Sequence, residues 1–158
     1  MNDKLVAYFS ATGKTAKVST KLASAIGADI YEIKPEVQYA KADLNWMNKK
    51  SRSSVEMNDK SIRPAIITGD VDVSGYDTIY LGFPIWWYVA PTVINTFLEA
   101  YDFTGKKLVL FATSGGSDFG NTAAELQPSA SGAKIIEARV LSGIITETKI
   151  SALIDACN

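Results

Sequence analysis

Apolar residues along this chain fall into short runs whose spacing switches between a strand-like and a helix-like period. Lys4 to Phe9 (KLVAYF) is almost continuously apolar and bounded by polar residues, which predicts a strand buried on both faces. Val18, Leu22, Ala25 and Ile26 then recur at three- and four-residue spacing, with Lys17 and Lys21 off that stripe, and Gly27 follows. That pattern predicts a helix with a glycine stop. Asp29 to Ile33 (DIYEI) alternates and holds a Glu, as an edge strand does. Thr78 to Gly82 (TIYLG) and Lys107 to Thr113 (KLVLFAT) predict two more buried strands, and Lys134 to Leu141 a last strand region. Between them, Pro91 suits the first position of a helix whose apolar face carries Val93, Ile94, Phe97, Leu98 and Tyr101. A short helix is expected near Thr122 to Leu126. A final one runs from Thr146 to Cys157, with Ile150, Leu153, Ile154 and Cys157 at helical spacing.

Strand and helix therefore alternate five times. Such alternation predicts an α/β fold, a parallel sheet with helices on both faces, because each crossover is right-handed and covers one face. The exception is a long polar stretch from about 36 to 74, opened by Pro35. It is too long for an ordinary loop and should hold structure of its own. Leu44, Trp46 and Met47 suit a short helix near Asp43, and Pro64 and Gly69 punctuate the rest, which shows no clear period. With 158 residues, 47% hydrophobic and 21% charged, the chain reads as one globular domain over 1–158 with this insert.

Composition narrows the chemistry. There is no histidine, which excludes Ser-His-Asp and Cys-His catalysis and His-ligated metals. The one cysteine, Cys157, excludes an internal disulfide and a Cys-ligated cluster within one chain. Demanding chemistry would have to be carried by an organic cofactor. Sixteen Lys and Arg against 17 Asp and Glu give a net charge of −1, so the basic excess expected of a nucleic-acid binder is missing. The basic cluster Lys49, Lys50, Arg52 reads as solvated surface. No apolar run approaches the roughly 20 residues of a membrane span, and Met1-Asn2-Asp3-Lys4 does not open like a signal peptide. No membrane or nucleic-acid role is expected, and a cytoplasmic location is. Lys4, Tyr101 and Cys157 carry no functional signal.

In parallel α/β sheets ligands bind beyond the carboxyl ends of the strands, where the strand order reverses. Three loops there are informative. Ser10-Ala11-Thr12-Gly13-Lys14-Thr15 joins a strand to a helix N-terminus, offers three hydroxyls and contains a glycine; it suits a phosphate, and equally a Ser/Thr-rich helix cap. Gly13-Lys14-Thr15 is similar to the end of a Walker A motif, but Tyr8 stands where that motif needs its first glycine. Pro84-Ile85-Trp86-Trp87-Tyr88 places three aromatics in succession. They cannot all point into one core, so at least one ring should be partly exposed and free to stack on a flat ligand, unless the insert covers them. Thr113-Ser114-Gly115-Gly116-Ser117 is small and hydroxylated, suited to close approach by a planar ring or to a plain turn.

Taken together these loops resemble those of the flavodoxins. That family binds FMN with a loop of the form [S/T]-x-T-G-x-T after the first strand, matched by Ser10 to Thr15, and flanks the flavin with the loops after strands three and four. The resemblance spans almost the whole chain. It is strongest to a bacterial subgroup with an insert after strand two, through Asp43-Leu44-x-Trp46, Ser51-Arg52, Glu56, Asn58-Asp59, Arg63-Pro64, Gly82 to Trp87, Ala90-Pro91 and Phe97-Leu98-Glu99. It implies a flavodoxin-like three-layer α/β/α sandwich with a five-stranded parallel sheet of order 2-1-3-4-5. It also implies FMN held by Ser10–Thr15, Pro84–Tyr88 and Thr113–Ser117, and a low-potential electron carrier that meets reductase and acceptor proteins. An FMN-dependent NAD(P)H:quinone-type reductase and a flavin-free binding module are the alternatives. The chain departs from the family pattern at Lys14, where Asn is usual, at Tyr88-Val89, which leaves the aromatic loop without glycine, and at Asp118 after the small-residue turn. Its near-neutral charge also differs from the strong acidity of well-studied flavodoxins.

Overall fold

The structure, a computed structural model, describes residues 3–116 and 118–157. Five strands form one parallel sheet: β1 (Lys4–Tyr8), β2 (Asp29–Glu32), β3 (Thr78–Pro84), β4 (Lys107–Ser114) and β5 (Lys134–Ser142), in the order β2-β1-β3-β4-β5. The helices are α1 (Lys14–Ile26), α2 (Arg52–Asn58), α3 (Thr92–Ala100), α4 (Thr122–Leu126) and α5 (Glu147–Cys157). The two-residue period of the strands sorts their side chains into two layers. Leu5, Ala7, Ile79, Leu81, Phe83, Leu108, Leu110 and Ala112 meet Val93, Ile94, Phe97 and Leu98 of α3 and Leu126 of α4. Val6, Tyr80, Val109 and Phe111 face the other way, onto Val18 and Leu22 of α1 and Ile150 and Leu153 of α5. The sheet is thus covered on both faces, which is why β1, β3 and β4 read as unbroken apolar runs while the edge strands β2 and β5 do not.

The expected elements are present, with shifted ends. Pro91 caps α3 instead of opening it, Tyr101 lies just beyond its last turn, and β3 runs on through Phe83 and Pro84. Cys157 packs at the margin of the α1–α5 layer, where burial pushes its thiol up to about 11. Among the described residues no helix is long and apolar enough to cross a membrane.

The insert is a closed excursion. Its two ends pair where Pro35 bridges Ile66, with Glu36 N donating to Ala65 O at 2.9 Å and Ile67 N to Lys34 O at 2.8 Å. Between them lie a short 3-10 turn over Lys41–Leu44, where a helix was expected, and α2, which no period in the sequence marks. The segment is tied to the body by side chains. Arg63 Nε donates to both carboxylate oxygens of Glu99 on α3, at 3.0 and 3.1 Å, and holds that carboxyl below its ordinary value. Lys60 pairs with Glu125 on α4.

The inner tie is aromatic. Tyr39 meets Phe9, just past β1, and Trp86, just past β3, edge to face, each at 5.4 Å between ring centres. Its hydroxyl donates to Glu56 Oε1 at 2.5 Å, and burial and this contact raise its pKa. The Glu56 carboxylate, only 7% exposed, also accepts from Arg52 Nε at 3.0 Å, and the guanidinium stacks 3.8 Å over the Tyr39 ring.

Two outcomes follow from the packing. A Cβ at Gly82 would fall 2.4 Å from Cζ of Phe111, its register partner on β4. Gly82→Ala is therefore expected to cost about 1–3 kcal/mol by overpacking, and each kcal/mol lowers Tm by roughly 2–4 °C at this chain length. A circular dichroism melt that matches wild type would show that the ring has room to yield. Glu56→Ala leaves the Tyr39 hydroxyl and Arg52 Nε without their acceptor, while Arg52 Nη1 keeps the Val37 carbonyl, at about 1–3 kcal/mol. Limited proteolysis should then cut faster within residues 37–50, and an unchanged cleavage rate would count against the tie.

Candidate functional site

The loop after β1 is shaped by one glycine. Gly13 has φ 94°, a left-handed value that a side chain would strain, and it turns the chain into α1. Its amide donates to Ser10 Oγ at 3.0 Å, so Ser10 braces the loop. No side chain caps α1 and its first turn holds no acidic residue, which leaves the partial positive charge of the helix end for an anion. Thr12 is exposed at the turn. Thr15 is buried, and its Oγ1 lies 2.8 Å from Thr113 Oγ1 at the end of β4. In such a pair one hydroxyl donates and the other keeps its own proton for a further acceptor. Lys14 is half-buried in the first turn of α1.

The loop after β3 is a tight reversal. Ile85 N donates to Thr113 O at 2.8 Å, and Trp86 and Val89 exchange backbone hydrogen bonds of 2.9 and 3.1 Å. The two residues between them, Trp87 (φ 48°) and Tyr88 (φ 69°), both lie in left-handed backbone, where turns of this kind ordinarily use Asn and Gly. Strain of this sort costs on the order of 1–3 kcal/mol per residue and persists only where the surroundings impose it. Room for the reversal is made at Gly120: the Tyr88 carbonyl oxygen lies 2.5 Å from the position a Cβ there would take, so only glycine fits. The reversal sends the rings apart, as their succession in the sequence requires. Trp86 turns inward, edge to face with Phe9 at 5.8 Å, while Trp87 and Tyr88 are 37% and 71% exposed.

The loop after β4 is simpler. Thr113 is buried and committed to Thr15, while Gly115 and Gly116 are exposed and the Gly116 amide donates to Ser114 Oγ at 3.2 Å. Ser117 lies outside the described residues. Asp118 Oδ1 accepts from Gly120 N at 2.9 Å, which places its carboxylate in the turn that meets Tyr88.

The loops after β1 and β3 border a cavity of about 520 Å³ lined by Ala11, Thr12, Thr15, Pro84, Ile85, Trp86, Trp87 and Tyr88, together with Leu44, Trp46 and Ser53 of the insert. That size is within the usual range for a small-molecule site. Eight of the expected residues therefore share one wall. Ser10, Gly13 and Lys14 sit behind it in the loop, Thr113 touches it through Thr15, and Ser114, Gly115 and Gly116 do not line it. Leu44, Trp46 and Ser53 were not anticipated as site residues, although Ser51 is a readable helix cap: its side chain accepts from Ser54 N and starts α2 beside the pocket. None of the lining side chains is an acid, a base or a cation at neutral pH. The wall offers hydroxyls at one part and flat apolar rings at another.

A family model described as flavodoxin matches residues 3–157. Among solved structures, a protein of Bacteroides eggerthii provisionally described as a flavoprotein is 48% identical. It covers 98% of this chain and 97% of its own, with a TM-score of 0.88. A counterpart from Bacteroides uniformis is also 48% identical, over 95% and 96%, with a TM-score of 0.87. A flavoprotein of Lactobacillus acidophilus, in complex with FMN, is similar in fold at 23% identity over 90% and 93%, with a TM-score of 0.68. No curated protein matched the chain. The strand order, the three loops at the carboxyl ends of β1, β3 and β4, and the match over nearly the whole length together place the chain in the flavodoxin family.

Proposed function

We propose that the chain holds FMN in the 520 Å³ cavity and acts as a low-potential electron-transfer protein. The residues present suit that ligand. The uncapped start of α1, with Thr12 and the Thr15–Thr113 hydroxyl pair, suits the phosphate. Trp86, Trp87 and Tyr88, fixed in their reversal, suit a planar ring. The FMN complex of the Lactobacillus acidophilus relative supports the choice. Bound FMN would supply the redox chemistry, and the chain supplies binding, orientation and exclusion of water.

The single observation that favours a carrier over an enzyme is the lining itself. Among the described residues it contains no carboxylate and no cation to hold a dinucleotide phosphate. Electron transfer to and from partner proteins, a reductase and an acceptor, needs neither. One feature favours the second reading, an FMN-dependent NAD(P)H:quinone-type reductase. A second cavity of about 570 Å³, lined by Trp46, Met47, Lys49, Ser54, Asn58 and Trp87, shares its two indoles with the first and gives a second flat molecule room.

Titrating the purified apoprotein with FMN is expected to quench flavin fluorescence to a saturating end point. Thr12→Ala should weaken FMN about tenfold, roughly 1.4 kcal/mol, and riboflavin hardly at all, because the lost hydroxyl serves the phosphate. No quenching by wild type would remove the flavin reading altogether. With FMN bound and oxygen excluded, NADH or NADPH alone should leave the oxidised absorbance bands in place. Rapid bleaching by either would transfer the assignment to the reductase.

A further inference from the structure

We propose that the insert is a working wall of the ligand site and that Ser53 is its polar contact, a hydrogen bond to the ring or ribityl part of the bound flavin. This rests on the FMN reading above. The observation behind it is an orphaned hydroxyl. Ser53 is 1% exposed, and its Oγ has no hydrogen-bond partner within the protein, yet it lines the cavity. A buried hydroxyl without a partner is costly, and such groups call for an explanation. Its neighbours on α2 are not in that position. Ser51 Oγ lies 2.8 Å from the Asn45 carbonyl oxygen and 2.9 Å from Ser54 Oγ. Of the three, Ser53 alone both lines the cavity and has an unsatisfied hydroxyl.

Position argues for the ring or ribityl part over the phosphate. The phosphate-suited groups, Thr12 and Thr15, come from the loop after β1, whereas Ser53 reaches the cavity from the insert, beside the apolar side chains Leu44 and Trp46. Rings and sugar-like chains carry carbonyl, imine and hydroxyl groups that a serine can meet, and an otherwise apolar wall would leave those unpaired. The insert is held in place for this task by Tyr39, Glu56 and Arg52, of which Arg52 and Glu56 lie on α2 to either side of Ser53 in sequence.

The test compares wild type, Ser53→Ala and Thr92→Val for affinity toward FMN and riboflavin, and for Tm without ligand. Thr92 Oγ1 is the other orphaned buried hydroxyl among the described residues, and it does not line the cavity. Ser53→Ala is expected to weaken both ligands about three- to tenfold, as loss of one hydrogen bond does. The ligand-free Tm should hold or rise, because an unsatisfied group has been removed. Thr92→Val should leave both affinities unchanged. Unchanged affinities in Ser53→Ala, with wild type binding normally, overturn the assignment and leave the functional reading intact. A loss confined to FMN overturns it too, since that marks a phosphate contact, and so does a weakened affinity matched by a fall in ligand-free Tm. Failure of wild type to bind either flavin removes the functional reading and this assignment together.

Discussion

Three rings from distant parts of the chain meet at the carboxyl end of the sheet: Phe9 after β1, Tyr39 in the insert and Trp86 after β3. Much of the site hangs on this meeting. Each such pair contributes about 0.5–1.5 kcal/mol beyond the area it buries, and these three also set geometry. Phe9 fixes the cluster to the core, Trp86 fixes one end of the aromatic reversal, and Tyr39 brings the insert to both. The Tyr39 hydroxyl then reaches Glu56, a carboxylate that burial would make untenable without Arg52 and that hydroxyl beside it. In this way α2, a helix of 7 residues too short to be stable by itself, is held against the cavity by tertiary contacts.

The aromatic reversal shows the same economy from the other side. Trp87 and Tyr88 adopt backbone that glycine would accept at little cost, and the chain spends strain there. The glycine that makes it feasible lies elsewhere, at Gly120, where the missing side chain admits the Tyr88 carbonyl. Fixing the rings before any ligand arrives lowers the ordering cost of binding. A glycine at 87 or 88 would relieve the strain and remove a ring from the wall.

The layers and their order were legible because buried parallel strands and amphipathic helices leave strong periods in the sequence, as KLVAYF and the Val18–Leu22 stripe do. The loops after β1 and β3 stood out for a different reason: hydroxyls around Gly13 suit an anion as well as a helix cap, and three successive aromatics cannot all enter one core. The insert was legible only as a segment needing structure. Its order comes from long-range pairs such as Arg63–Glu99 and Tyr39–Glu56, and these leave no local period. Leu44, Trp46 and Ser53 were not assignable to the site for that reason, since a residue is placed on a wall formed by folding back only when its distant partners are known. The loop after β4 shows the converse. Its small residues signal a turn, but Thr113 is occupied by Thr15, and the far side of the cavity is closed by the insert.

The absence of histidine now has a physical counterpart in the site. A cavity with hydroxyls at a helix start, indoles on its walls and no acid, base or cation in its lining discriminates by shape and by a few neutral hydrogen bonds. Hydroxyls and flat rings of this kind bind and orient a ligand. Access is then the variable the protein controls. Trp46, Trp87 and Tyr88 stand exposed at the cavity and bring the only large apolar surface to its mouth among the lining residues. The insert supplies the first of these rings and the strained reversal the other two. The same two devices that shape the interior therefore also form its mouth, and both are anchored on the Phe9, Tyr39 and Trp86 cluster.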